Sequence, residues 1–174
     1  MKSLRETIRR LILEDTHIQE PPIVGMLKAM DSHNLFEDEL GSRFAVGMPY
    51  HWEYYATDAC VYDIKMNSDS TDVFFIEEIN IQTEEPDEET KKHWPNPYEY
   101  DIECEGQGFA TDMMQELMAM ADEHGVQLSL QPSAFMQTIG GERPDTVGLT
   151  FWYKRLGFED SPQDNGTLVY NFNS

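Results

Sequence analysis

The sequence predicts a mixed α/β domain whose sheet is mostly antiparallel, and three observations carry that expectation. Strand-like runs come first, as a meander. A strand, a glycine-rich turn, a long amphipathic helix, a short buried strand and a second helix then follow in that order. Finally, 174 residues with 40% hydrophobic content are enough for one compact domain with a real core.

The chain opens on a segment unlike the rest. Met1 to Asp15 carries four of the twelve basic residues and an amphipathic stripe of Leu4, Ile8, Leu11 and Ile12. Its apolar runs are too short for a signal peptide or a membrane span. We expect residues 1–20 to be a helical extension that docks on the domain or mediates self-association, set off by Glu20-Pro21-Pro22. Ile12-Leu13-Glu14 also resembles the cleavage sites that close capsid-targeting peptides of large tailed phages. The domain proper is expected over 21–174. Ile23 to Met30 reads as a short helix, and Phe44 to Val46, Tyr54 to Met66 and Val73 to Thr83 as the meander. Asn67-Ser68-Asp69-Ser70 has some character of a calcium loop but lacks its later glycine and glutamate, and reads as a hairpin turn.

Beyond Thr83 the chain is acidic, with Glu84, Glu85, Asp87, Glu88 and Glu89, and then aromatic and proline-rich at Trp94, Pro95 and Pro97. Glu103-Cys104-Glu105-Gly106-Gln107-Gly108-Phe109-Ala110 follows and opens a helix. Phe109, Met113, Leu117 and Met120 share a stripe there, and His124-Gly125 supplies a stop. Glycines before a helix let a phosphate approach main-chain N–H groups where the helix dipole favours negative charge. Such turns also occur for steric reasons alone. Val126 to Leu130 reads as a buried strand, Leu149 to Leu156 as a helix closed by Gly157, and Thr167 to Phe172 as a last strand after an Asp164-Asn165-Gly166 turn.

Two of these segments, Glu103 to Ala110 and Phe151-Trp152-Tyr153-Lys154-Arg155-Leu156-Gly157-Phe158, resemble the signatures of the GNAT superfamily of acetyltransferases over roughly Val73 to Tyr170. The resemblance implies a GNAT-like sheet with flanking helices, and acetyl-CoA as acyl donor. Glu103, Gly106, Gln107, Gly108, Phe109 and Ala110 would hold its pyrophosphate, and the strand edge at Ile79 and Ile81 its pantetheine. Tyr153 would protonate the departing thiolate. Three departures stand out. Glu103 puts a carboxylate where the family has Arg or Gln, Glu84 to Ile102 is an insertion, and Thr146 replaces a frequent asparagine. Acceptor specificity in such a fold lies in loops, here Glu84 to Tyr100 and Pro132 to Gly148.

Amine acetylation needs a proton acceptor and a group that stabilises an oxyanion. By alternation Glu77 shares a face with Ile79 and Ile81, so it is the first candidate base and Glu78 the second; the plain alternative is two solvated strand residues. The formal charge of −21, from 12 basic and 33 acidic residues, repels nucleic acid and anionic membranes. It suits cationic partners, whether a small amine such as a polyamine or a lysine-rich protein, and equally suits plain solubility. Cys60 and Cys104 are too few for a disulfide framework, which points to a reducing, cytoplasmic compartment, or to host cytoplasm or virion if the chain is phage-encoded. The five histidines lie scattered without CxxC or HExxH spacing, so no metal site is expected. These readings converge on an N-acetyltransferase acting on a cationic primary amine, as a monomer or a homodimer. The alternative is a catalytically inactive binding or virion-associated module on the same fold.

Overall fold

A computed structural model describes residues 20–38, 46–57, 60–68, 70–82, 104, 106–133 and 146–172. The extension before Glu20 and the segment 83–103 lie outside the described residues. Helix α1, Pro22–Ser32, starts on a proline whose missing N–H is no loss in a first helical turn. Ile23, Met26, Leu27 and Met30 are spaced for one stripe and all four are buried.

Seven strands among the described residues form one sheet, in the order β1-β2-β3-β4-β5-β7-β6. They are β1 (Phe36–Asp38), β2 (Tyr50–Thr57), β3 (Cys60–Asn67), β4 (Val73–Gln82), β5 (Gln127–Leu130), β6 (Glu159–Asp160) and β7 (Leu168–Tyr170). Pairing is antiparallel throughout except between β4 and β5, which run parallel. A parallel step needs a crossover, supplied by helix α2 (Phe109–His124). Helix α3 (Thr146–Leu156) fills the interval between β5 and β6. The expected architecture of a mixed, mostly antiparallel sheet with flanking helices is therefore present.

Three boundaries differ from the sequence expectation. Tyr54 to Met66 is a hairpin rather than one strand, with Thr57 opposite Cys60 at its turn. Phe44 and Ala45 lie outside the described residues and Val46 sits in a turn, while the first strand lies earlier, at Phe36–Asp38. Alternation in β2 is as regular as a half-buried strand requires: Tyr50, Trp52 and Tyr54 are buried. In β3, Tyr62, Ile64 and Met66 continue that face.

Onto the face α2 lays Met113, Met114, Leu117, Met118, Met120 and Ala121, all buried. A methionine-rich helix suits this position, because an unbranched thioether adapts to the irregular surface left by large aromatics. Each such side chain contributes about 1.5–3 kcal/mol by leaving water. Beyond α3, Phe158 is 2% exposed and lies between the rings of Tyr153 and Tyr170, each centroid 5.6 Å away. The Tyr170 hydroxyl donates to Asp122 Oδ2 at 2.9 Å, which ties β7 to α2. No helix among the described residues is long and apolar enough to cross a membrane.

Candidate functional site

Strand β4 changes character at Glu77. Before it, Val73 to Ile76 pair with β5, from Val73–Gln127 to Ile76–Leu130, and Phe75 and Ile76 pair with β3 on the other side as well. After it, β4 runs on to Gln82 still paired with β3, and among the described residues no strand pairs with its other edge. At the change the register slips, since Met66 faces Ile76 while Lys65 faces Glu78. Glu77 is the extra residue of a β-bulge.

The bulge corrects one expectation from alternation. Ile76 and Ile79 both stand opposite buried residues, Met66 and Ile64, so a step of three separates positions on the same face. Glu77 falls outside the row that Ile79 continues. Its carboxylate accepts a hydrogen bond from Asn67 Nδ2. Glu78 accepts from Lys65 Nζ at 2.5 Å and from Asn80 Nδ2 at 2.6 Å. The hydrogen bond from Lys65, then that from Asn80, hold the Glu78 carboxyl below the usual carboxylate range. Both candidate bases are therefore engaged, Glu78 more strongly.

The glycine turn stands as the sequence suggests. Gly106 and Gly108 have φ of +72° and +87°, in the left-handed region, and a Cβ on either would meet nothing within 4 Å. Conformation, not crowding, demands glycine here. Gly108 caps α2 without any side-chain hydrogen bond, and its carbonyl accepts from the N–H groups of Thr111 and Asp112. The first N–H groups of the helix, on Phe109 and Ala110, consequently face a turn whose three residues Gly106, Gln107 and Gly108 are exposed. The side chains of Phe109 and Ala110 pack against the core, so toward the glycine turn these residues offer a ligand only their main chain. Glu103 lies outside the described residues.

The two cysteines overturn the expectation of free thiols. Cys60 and Cys104 form a disulfide, with Cα atoms 5.7 Å apart and both residues 4% exposed. Its position matters for the turn. Gln82, at the end of β4, is paired with Val61, the neighbour of Cys60, and Cys104 lies just before Gly106. The chain thus leaves the sheet and returns to it at nearly one point. The bridge thereby fastens Cys104, and the glycine turn that follows it, beside the end of β4.

The second segment meets the first through one hydrogen bond. Trp152 Nε1–H donates to Thr111 Oγ1 at 3.2 Å, joining α3 to the first turn of α2. The neighbouring Tyr153 is 9% exposed, its ring 4.6 Å from that of Trp152. Burial pushes its phenol up to about 12. Thr146 opens α3, and its carbonyl accepts from Thr150 Oγ1 at 2.7 Å.

No protein-family model, curated protein or solved structure matches this chain. The site therefore stands on its own geometry. Among the described residues no group of three or more His, Cys, Asp or Glu side chains is placed to hold a metal ion. Sequence reasoning missed the Cys60–Cys104 bridge and the pairing of Lys65 with Glu78. The first had a signal, an even cysteine count with one cysteine beside the glycine turn.

Proposed function

We propose that the chain is an N-acetyltransferase that moves an acetyl group from acetyl-CoA to a cationic primary amine, in a site of the kind its GNAT resemblance implies. One observation carries the reading: β4 parts from β5 at the bulge, and the glycine turn is fastened beside the end of the parted strand. Main-chain groups of β4 past Glu77, Ile79 and Ile81 among them, offer an edge to a pantetheine amide in the manner of a missing strand. The N–H groups opening α2 suit a pyrophosphate. Asp112, in that first turn, opposes it, so the main chain must do most of the binding.

Acetyl-CoA supplies an activated thioester carbonyl. The amine must arrive neutral, and Glu77, exposed and less tightly held than Glu78, takes its proton directly or through water. The amine nitrogen then bonds to the carbonyl carbon, the carbon–sulfur bond breaks, and the proton that the nitrogen still sheds passes through water to the departing thiolate, leaving an amide and a thiol. At about 12 the Tyr153 phenol is protonated at every physiological pH. It stabilises the thiolate by donating a hydrogen bond, because full proton transfer to a thiol of ordinary pKa, about 8.5, is uphill.

A binding module that has lost catalysis is supported by the engagement of both carboxylates with Asn67, Lys65 and Asn80. Steady-state turnover with acetyl-CoA and a panel of diamines and lysine-rich peptides separates the two. In the enzyme, Tyr153→Phe, which removes a hydrogen-bond donor to the thiolate, lowers kcat by about 10²- to 10³-fold while cofactor affinity holds. Equal kcat in the variant removes Tyr153 from the mechanism, and cofactor binding without turnover on any amine establishes the module.

A further inference from the structure

Helix α2 has two flanks near its start. One is tied to α3 through Thr111. On the other, Phe109, Asp112 and Glu116 fall at i, i+3 and i+7 and look onto β2 and the chain before β1. Together with Leu35, Tyr54 and Ala56 they line a groove of about 370 Å³. That volume lies within the span of small-molecule clefts, roughly 300–1,000 Å³.

Beside the Gln115 amide, which both donates and accepts, the groove has three acceptor groups and apolar walls. Two acceptors are the carboxylates of Asp112 and Glu116. The third is the oxygen of Tyr54, a residue only 3% exposed whose hydroxyl has no hydrogen-bond partner among the described residues. Burial first, and then the charges of Asp112 and Glu116, push this phenol above its ordinary range, which places it within electrostatic reach of both carboxylates. His33 Nε2 approaches Glu116 Oε2 at 3.6 Å, beyond hydrogen-bond distance. A merely solvated helix face accounts for Asp112, which complements the positive end of α2. It does not account for a phenol that lines the groove on a residue only 3% exposed and has no hydrogen-bond partner among the described residues.

We propose that this groove binds a primary ammonium group carried on a short apolar stem. An ammonium has three N–H donors and no acceptor, matching the phenol oxygen and two carboxylates. Leu35, Ala56 and Phe109 cover the stem, and the −21 charge of the chain raises the local concentration of any cation. Glu116 and the phenol play no part in the acyl-transfer reading, and Asp112 enters it only as a charge opposing the pyrophosphate, so either stands if the other fails.

The test is a titration of n-butylammonium chloride into the isotope-labelled full chain at low salt, without coenzyme A, followed by amide chemical shifts. The expected result is a saturable shift centred on Leu35, Tyr54, Ala56 and Phe109. Glu116→Gln and Tyr54→Phe should each weaken it about tenfold. Glu123→Gln, at an exposed carboxylate farther along α2, should leave it unchanged, and tetramethylammonium, which has no N–H, should give no saturable shift. The same spectra report whether each variant is folded. The proposal is overturned by the absence of a localised shift, by equal weakening in Glu123→Gln, or by equal binding of tetramethylammonium.

Discussion

The two halves of β4 lie in one strand and differ in nearly everything else. Val73 to Ile76 is paired with β5 throughout and with β3 as well at Phe75 and Ile76, and Phe74 and Ile76 are buried. Glu77 to Gln82 is paired with β3 alone and begins with two carboxylates held by hydrogen bonds. One bulge residue divides them. A strand committed on both edges can only support the fold, whereas one released on an edge keeps main-chain groups for a ligand. The difference teaches where to look for chemistry in a sheet: past the point at which a parallel neighbour stops.

Substitutions can break that contrast, and in folding stability their effects run from large to small. Phe74→Ala, in the half paired with β5, should cost about 3–5 kcal/mol by urea denaturation, against about 1–2 kcal/mol for the partly buried Ile79→Ala in the open half. Equal costs would mean that both halves are structural. The Cys60–Cys104 bridge closes a loop with a sequence separation of 44 residues. Cys60→Ser should therefore lower stability by about 2–4 kcal/mol. Hydrogen exchange should quicken at Gly106 to Ala110 and stay unchanged in α1, and uniform quickening would remove the bridge as the fastening of the turn.

Glu78 gives a smaller, pH-dependent effect. Its folded pKa is depressed, chiefly by Lys65, so the ionised form favours the folded state. The melting temperature of the parent should exceed that of Glu78→Gln at pH 7, with the gap closing as pH falls through the depressed value. A gap that persisted in acid would trace to packing rather than charge. Smallest in stability is Glu77→Gln, expected within about 0.5 kcal/mol of the parent because the side chain is exposed. Its turnover should nonetheless fall by about 10²-fold or more if Glu77 is the base, and unchanged turnover would leave the open half without one.

Much of this contrast was legible in the sequence, and the misses have physical causes. The glycine turn and α2 were readable because Gly106, Gly108 and the stripe from Phe109 to Met120 agree with one another at successive levels. The bulge was not read, although Phe74, Ile76, Ile79 and Ile81 are spaced two, three, two, and the step of three at Glu77-Glu78 is its mark. Strict alternation therefore put Glu77 on the wrong row. The β2–β3 hairpin was hidden because Thr57-Asp58-Ala59-Cys60 contains neither glycine nor proline. Tyr54 lies far from Asp112 and Glu116 in the sequence, and the three carry no shared motif. Only folding brings them to one groove.

The measurement that bears most directly on the open edge and its glycine turn is calorimetric titration of acetyl-CoA into the full chain and into Gly108→Trp, at low and moderate salt. A Cβ at Gly108 meets open space within the fold, so the larger side chain obstructs the ligand's approach, though its positive φ adds strain of about 1–2 kcal/mol. Saturable binding by the parent that is lost in a variant still folded is the predicted result. No heat of binding at either salt, or the same affinity in Gly108→Trp, would contradict it.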